Sequence, residues 1–134
     1  MKKISPDIII NCIGVIKQRD KVENVLSHNF INNALIILDK EKNIKAYNIK
    51  NMKIFWKSDL NEYLDKDEKI VEIINNENRI IIFFNNGLIL EIDLISGEVL
   101  FNQKLKLKEI MSIYFIDNYI FFTQIDGKTT IFKQ

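Results

Sequence analysis

The stretch Asn78-Arg79-Ile80-Ile81-Ile82-Phe83-Phe84-Asn85-Asn86-Gly87 returns 40 residues later as Asn118-Tyr119-Ile120-Phe121-Phe122-Thr123-Gln124-Ile125-Asp126-Gly127, with Asn and Gly matched at both ends. Self-similarity at a fixed period is the mark of stacked supersecondary units. The match runs backward as well, setting Ile70-Val71-Glu72-Ile73-Ile74 on Ile110-Met111-Ser112-Ile113-Tyr114. An earlier copy lies 45 residues upstream of the middle one, where Asn33-Ala34-Leu35-Ile36-Ile37-Leu38 aligns with Asn78 to Phe83, and Leu60 with Leu105. Leu26-Ser27-His28-Asn29-Phe30-Ile31-Asn32-Asn33 in turn resembles Met111 to Asn118. The units are thus 25–69, 70–109 and 110–134, behind a segment 1–24 that stands outside the repeat.

Apolar runs bounded by turn residues read as strands. In the middle unit they are Ile70 to Ile74, Arg79 to Phe84, Leu88 to Leu94 and Glu98 to Gln103. The first unit supplies Val25 to Phe30, Ala34 to Asp39, Ile44 to Ile49 and Lys53 to Lys57, and the third supplies two or three strands. Asn85-Asn86-Gly87 and Asp93 to Gly97 carry residues that tolerate positive φ, so both joints are expected to be antiparallel hairpins. In the first unit the turn glycine is replaced by Met52, beside Asn51. Asp59 to Lys69 is the one piece with helical spacing, through Leu60, Tyr63 and Leu64 behind an Asp cap. The expected class is therefore all-β, built of antiparallel four-stranded units.

Composition narrows the function. The chain has 134 residues, enough for one domain with a buried core, and its 27 Ile favour pleated structure. Nineteen basic and 18 acidic side chains nearly cancel, so no strong field gathers nucleic acid. With Cys12 the single cysteine and His28 the single histidine, neither an intramolecular disulfide nor a Cys/His zinc site can be assembled. Met1-Lys2-Lys3 followed by apolar Ile8 to Ile16 has the outline of a secretory signal. Pro6 and Asp7 ahead of it, Asn11 within it and Lys17-Gln18-Arg19-Asp20 behind it argue against that reading. No run approaches the roughly 18 consecutive apolar residues of a membrane-spanning helix, so direct membrane insertion is not expected.

Units of 40 to 45 residues with four short antiparallel strands resemble β-propeller blades. Asn86-Gly87-Leu88-Ile89-Leu90-Glu91-Ile92-Asp93-Leu94-Ile95-Ser96-Gly97-Glu98-Val99-Leu100-Phe101 is similar to the PQQ-like (quinoprotein) repeat: a glycine hairpin, a short strand ending in Asp, a Ser/Thr-Gly turn and a closing aromatic. Trp56 takes that aromatic place in the first unit, and no Gly-His or Trp-Asp dipeptide marks a WD40 repeat. Propellers close with about four to eight blades, so two and a half units imply an incomplete propeller: copies of the chain associate, the open end pairs with another chain, or the reading frame is truncated and upstream blades are missing, with open blade edges favouring self-association or a protein partner. The family includes quinone-dependent alcohol dehydrogenases and a non-enzymatic lipoprotein that helps assemble outer-membrane barrels. The calcium-binding acidic residues, adjacent disulfide-linked cysteines and stacking tryptophan of the enzymes have no counterparts here. The resemblance thus implies a non-catalytic scaffold in the cell envelope of a bacterium, with no cofactor.

The alternative is a remnant or fragment of an enzyme. One form is the quinone-dependent propeller itself. The other rests on Pro6-Asp7-Ile8-Ile9-Ile10-Asn11-Cys12-Ile13-Gly14-Val15-Ile16-Lys17-Gln18, which resembles a strand of extended short-chain dehydrogenases, the dTDP-4-dehydrorhamnose reductase-like proteins acting on sugar nucleotides. No Gly-x-x-Gly-x-x-Gly loop precedes it and no Tyr-x-x-x-Lys pair follows, which favours reading the segment as the outer strand of a preceding blade, with Gly14 as a bulge or bend.

Individual side chains point the same way. His28 falls where the other copies place Ile73 and Ile113, which predicts a packed, buried imidazole rather than a catalytic one. Cys12 within its apolar run reads as an inert buried thiol. Asp59, Glu62, Asp65, Asp67 and Glu68 lack the glycine and spacing of the roughly twelve-residue calcium loop, and with Lys66 and Lys69 among them they read as a solvated connector. Trp56 and Phe101, at matched positions, are expected to pack blades. No catalytic, cofactor-binding or metal-binding residue is assigned.

Overall fold

Branched isoleucines in short runs, broken by Asn, Asp and Gly, leave the backbone little alternative to short strands joined by tight turns. The computed structural model describes residues 25–31, 33–65 and 68–133. Segment 1–24, with Cys12 and the stretch 6–18, lies outside the described residues, as do Lys66 and Asp67. The strands are β1 (Val25–Ile31), β2 (Ala34–Asp39), β3 (Asn43–Asn48), β4 (Ile54–Asp59), β5 (Ile70–Asn76), β6 (Arg79–Phe84), β7 (Leu88–Asp93), β8 (Val99–Lys104), β9 (Ile110–Ile116), β10 (Tyr119–Gln124) and β11 (Thr129–Lys133). They form three antiparallel meanders, ordered β1-β2-β3-β4, β5-β6-β7-β8 and β11-β10-β9. The fold is all-β, and strand ends depart from the sequence reading by a residue or two.

The repeat governs the backbone in detail. Ile49 N–H donates to Asn33 O in the first sheet, and Leu94 N–H donates to Asn78 O at the equivalent place in the second. Asn85 N–H donates to Lys69 O in the second sheet, and Ile125 N–H to Glu109 O in the third. Bulges repeat as well: Leu26, Val71 and Met111 are each the extra residue where β1, β5 and β9 pair with their neighbours. Phe55 in β4 and Leu100 in β8 are the extra residues at the opposite edges of the first two sheets.

Two compact units divide the chain. One holds the first sheet, the segment up to Leu64 and the turn Ile95–Gly97. Its β2 is buried along its whole length, and Leu35, Ile37 and Tyr47 cluster on one face with Phe30, Ile49 and Met52 against them. The β3–β4 turn places Met52 at φ 59°, the left-handed position that Gly97 takes at φ 76° in the second sheet. Asp59 to Leu64 makes one helical turn and no more: Asp59 Oδ1 accepts the Asn61 N–H, and the Tyr63 and Leu64 N–H groups donate to Leu60 O. Leu60 and Leu64 are buried beneath it.

Asp39 is buried at the end of β2, where its Oδ1 accepts the N–H groups of Glu41 and Asn43, both at 3.0 Å. This carboxylate closes a turn whose Lys42 stands at φ 65°. Asp39→Ala is expected to lower stability by about 1.5–3 kcal/mol, since hydrogen bonds to a charged acceptor are lost and a buried donor is left without its partner. Asp39→Asn keeps an oxygen acceptor and should recover most of that loss. Urea denaturation followed by Trp56 fluorescence, which reports this same unit, checks the pair.

The other unit holds the second and third sheets. Phe83, Leu107, Ile110, Ile113 and Phe122 form its core, with Ile74, Ile81 and Ile120 packed against them. The Phe83 ring meets Phe115 at 5.8 Å and Phe122 at 6.2 Å, and Phe122 meets Phe132 edge-on at 5.5 Å. Such edge-to-face contacts add to the burial of the rings. Gly87, at φ 93°, closes the β6–β7 hairpin directly under the backbone that leads from β8 to β9.

Candidate functional site

Side chains directly opposite one another on paired strands share a sheet face. In the third sheet Phe121 pairs with Tyr114 on one side and Ile131 on the other, and Tyr119 pairs with Ile116 and Lys133. These residues form the outer face. The inner face carries Ile113, Phe122 and Thr130, with Phe115, Ile120 and Phe132. It is the inner face that packs on the second sheet.

The second sheet has Ile74, Ile81 and Glu91 in one row, where the third has Tyr114, Phe121 and Ile131. There Ile74 and Ile81 are packed into the core. Tyr114 is 59% exposed and Ile131 56%, and Ile116 and Tyr119 are exposed beside them. At the position shared by Ile74 and Tyr114, a side chain packed against the core in one sheet is thus an exposed one in the next. Contiguous exposed apolar patches of large side chains are uncommon on soluble monomers.

The candidates read from the sequence are scattered. His28 is exposed, which corrects the expectation of a buried imidazole. It pairs with buried Ile37, but β1 is the margin of its sheet among the described residues, so the side chain emerges at the edge. Trp56 is 7% exposed, with the Gly97 backbone against its indole and the Ser58 hydroxyl donating to Gly97 O. Phe101, its repeat equivalent, is 47% exposed, which corrects the expectation that both aromatics pack. Among the described residues no turn covers Phe101 as Ile95–Gly97 covers Trp56.

The acidic residues serve the backbone. The Asn61 main-chain N–H and side-chain amide both donate to Asp59, holding its carboxyl below the usual range. The hydrogen bond to Glu62 raises the Tyr63 hydroxyl above its ordinary value. Glu68 Oε1 accepts the Asp65 N–H at 2.8 Å and also the Asn86 side-chain amide, and Asp65 lies 3.6 Å from Lys104 Nζ. Asp65, Glu68, Asn85, Asn86, Leu105 and Leu107 line part of an open groove of about 670 Å³ in the second unit. Among the described residues no three His, Cys, Asp or Glu side chains gather into a metal-ligating group. Arg79 Nη1 meets Glu91 Oε1 at 2.8 Å across the β6–β7 pair, which keeps the guanidinium above its usual value.

The residues that sequence reasoning missed are Tyr114, Phe121 and Ile131. Ile113-Tyr114-Phe115-Ile116 is apolar on both faces, so alternation could not say which face is covered. Laying the third unit on the second would have singled out the position of Ile131, where the second unit has the charged Glu91 and the third an apolar side chain.

No family model matches the chain, and no curated protein sequence matches it. Solved structures do. The computationally designed Ika8 protein is 17% identical with a TM-score of 0.57, covering 82% of this chain and 33% of that one. BamB from Moraxella catarrhalis is 14% identical with a TM-score of 0.56, covering 81% of this chain and 31% of that one. The computationally designed Ika4 protein is 16% identical with a TM-score of 0.56, covering 81% of this chain and 65% of that one. The chain spans about a third of the length of the first two. With its three open antiparallel sheets of three or four strands, it has a β-propeller-like fold that is an incomplete propeller.

Proposed function

We propose that the chain is a non-catalytic β-propeller interaction module of the PQQ-like repeat kind, akin to the outer-membrane-assembly branch, and that it works by binding protein through its open sheets. The observation that carries this reading is the group of exposed apolar side chains Tyr114, Ile116, Tyr119 and Ile131 on the third sheet, of which Tyr114 stands at the repeat position of Ile74, which is packed against the core in the second. The likeness of fold to BamB supports it. Burying such a face against a partner removes apolar surface from water at about 25 cal/mol per Å², the main source of affinity in obligate interfaces. The acidic and amide side chains near the groove already hold backbone or one another, which suits a scaffold better than a reaction centre.

The test is to titrate the full chain with pyrroloquinoline quinone and calcium by calorimetry, and in parallel to measure binding of a purified protein partner. Stoichiometric protein binding without a saturable cofactor signal is the expected result. Stoichiometric quinone or nicotinamide binding, or specific turnover, would overturn the reading in favour of an enzyme remnant.

A further inference from the structure

We propose that Asn86 is a deamidation site held shut by the fold, with Glu68 as its latch, and that the reaction turns a hydrogen-bonded contact into two facing carboxylates. The inference stands apart from the interaction-module reading and needs no co-reactant but water.

The chemistry begins in the sequence. Of the 16 asparagines only Asn86 precedes a glycine. A residue without a Cβ leaves its backbone nitrogen open to the side chain before it. Once Gly87 N gives up its proton it can attack Asn86 Cγ: the N–Cγ bond forms, the Cγ–Nδ2 bond breaks, and ammonia leaves with the proton. Water then opens the cyclic imide at either carbonyl. Breaking the new N–Cγ bond yields aspartate at position 86, and breaking the backbone C–N bond yields isoaspartate.

Each atom of this reaction is restrained in the fold. The Gly87 N–H, whose proton must be lost, donates to Phe84 O at 3.2 Å, and Gly87 O accepts the Leu105 N–H at 2.8 Å. Asn86 Oδ1 accepts the Leu88 N–H at 3.0 Å, and Nδ2, the leaving group, donates to Glu68 Oε1. Backbone crowds Gly87 so closely that a Cβ there would run into Leu105 O. Ring closure therefore waits for local opening of the hairpin and its latch.

The third sheet shows what the product keeps and what it loses. Asp126 stands at the repeat position of Asn86, and its Oδ1 accepts the Lys128 N–H at 2.9 Å just as Asn86 accepts that of Leu88. A carboxylate at position 86 thus preserves the turn. It has no donor for Glu68, however. In the third unit Lys108 takes the place of Glu68, so the hairpin acid is matched with a cation. In the second, two acids would face each other and repel. Glu68 Oε1 also holds the Asp65 N–H at 2.8 Å, and Asp65, Glu68 and Asn86 line the same groove. Deamidation therefore releases Glu68 and Asp65 from the β6–β7 hairpin, a change that refolding cannot undo.

Peptide-mapping mass spectrometry of the full chain, incubated at mildly alkaline pH either folded or in urea, tests the latch. Exchange of NH2 for OH at position 86 should outpace that at the other asparagines in urea and run at least about tenfold slower in the folded chain. Glu68→Ala frees the leaving group and should raise the folded rate at least about threefold. Glu68→Gln keeps an oxygen acceptor and should stay slow. Asn86→Asp, followed by amide exchange in nuclear magnetic resonance, supplies a second test. Its Asp65 amide should exchange faster while the Leu88 amide stays protected. Adding Glu68→Gln to Asn86→Asp swaps the amide and the carboxylate and should restore slow Asp65 exchange, which general loosening of the structure would not do. Equal deamidation rates in folded and unfolded chains, no acceleration by Glu68→Ala, or an Asp65 amide unmoved by Asn86→Asp would each overturn the proposal.

Discussion

Gly87→Ala is expected to lower stability by about 2–5 kcal/mol, and Gly127→Ala, at the same repeat position one sheet later, by only about 1–2 kcal/mol. Both glycines are left-handed, at φ 93° and 88°, so both substitutions meet the conformational penalty of roughly 1–2 kcal/mol for an L-residue there. They differ in what surrounds them. A Cβ on Gly87 would run into Leu105 O and come within 3.0 Å of Leu107 O, whereas one on Gly127 would meet nothing within 4 Å. The obstructing atoms are backbone, fixed by the Leu105 N–H bond to Gly87 O at 2.8 Å, so they cannot rotate away as a side chain would. Overpacking of this kind adds about 1–3 kcal/mol. Urea denaturation followed by far-UV circular dichroism measures the difference, and equal losses at the two sites would show that the close approach is unimportant.

What the sequence made legible was local. Asn78 to Gly87 and its echo at Asn118 to Gly127 carry turn chemistry and alternation within ten residues, and those short-range signals place the strands, hairpins and left-handed glycines. Even the unusual Met52 turn was visible as a glycine missing from the pattern. Burial was not legible in the same way, because it depends on what comes to lie over a residue from elsewhere in the chain. His28 sits opposite a fully buried isoleucine and is nonetheless exposed, since an edge strand has only one neighbour to shelter it. Tyr114 and Ile131 have the composition of core residues and the exposure of surface ones. The capping duty of Asp59 was legible from the helical spacing behind it, whereas that of Glu68 was hidden, because an acidic residue that holds a backbone N–H and one that is solvated look alike in sequence.

Trp56 and Phe101 turn that distinction into a measurement. They occupy the same register of their sheets, Trp56 opposite Ala46 and Phe101 opposite Glu91, so a reading by repeat alone assigns them one role and one energetic weight. Trp56→Ala is expected to cost about 3–5 kcal/mol, the range for emptying a buried aromatic site, because its buried indole fills the space beside Gly97. Phe101→Ala removes a ring that is half in water already, and a surface change of that sort is expected to stay within about 0.5–1 kcal/mol. Trp56 is the single tryptophan, so Trp56→Ala must be followed by far-UV circular dichroism, while Phe101→Ala can be followed by both dichroism and fluorescence. At typical urea slopes the first should move the midpoint by about 1 M or more and the second by a fraction of that. The Phe101 result also bears on assembly. If its loss proves as large as that of Trp56 at high protein concentration and small on dilution, a second copy covers Phe101 in solution as the Gly97 turn covers Trp56 within one chain.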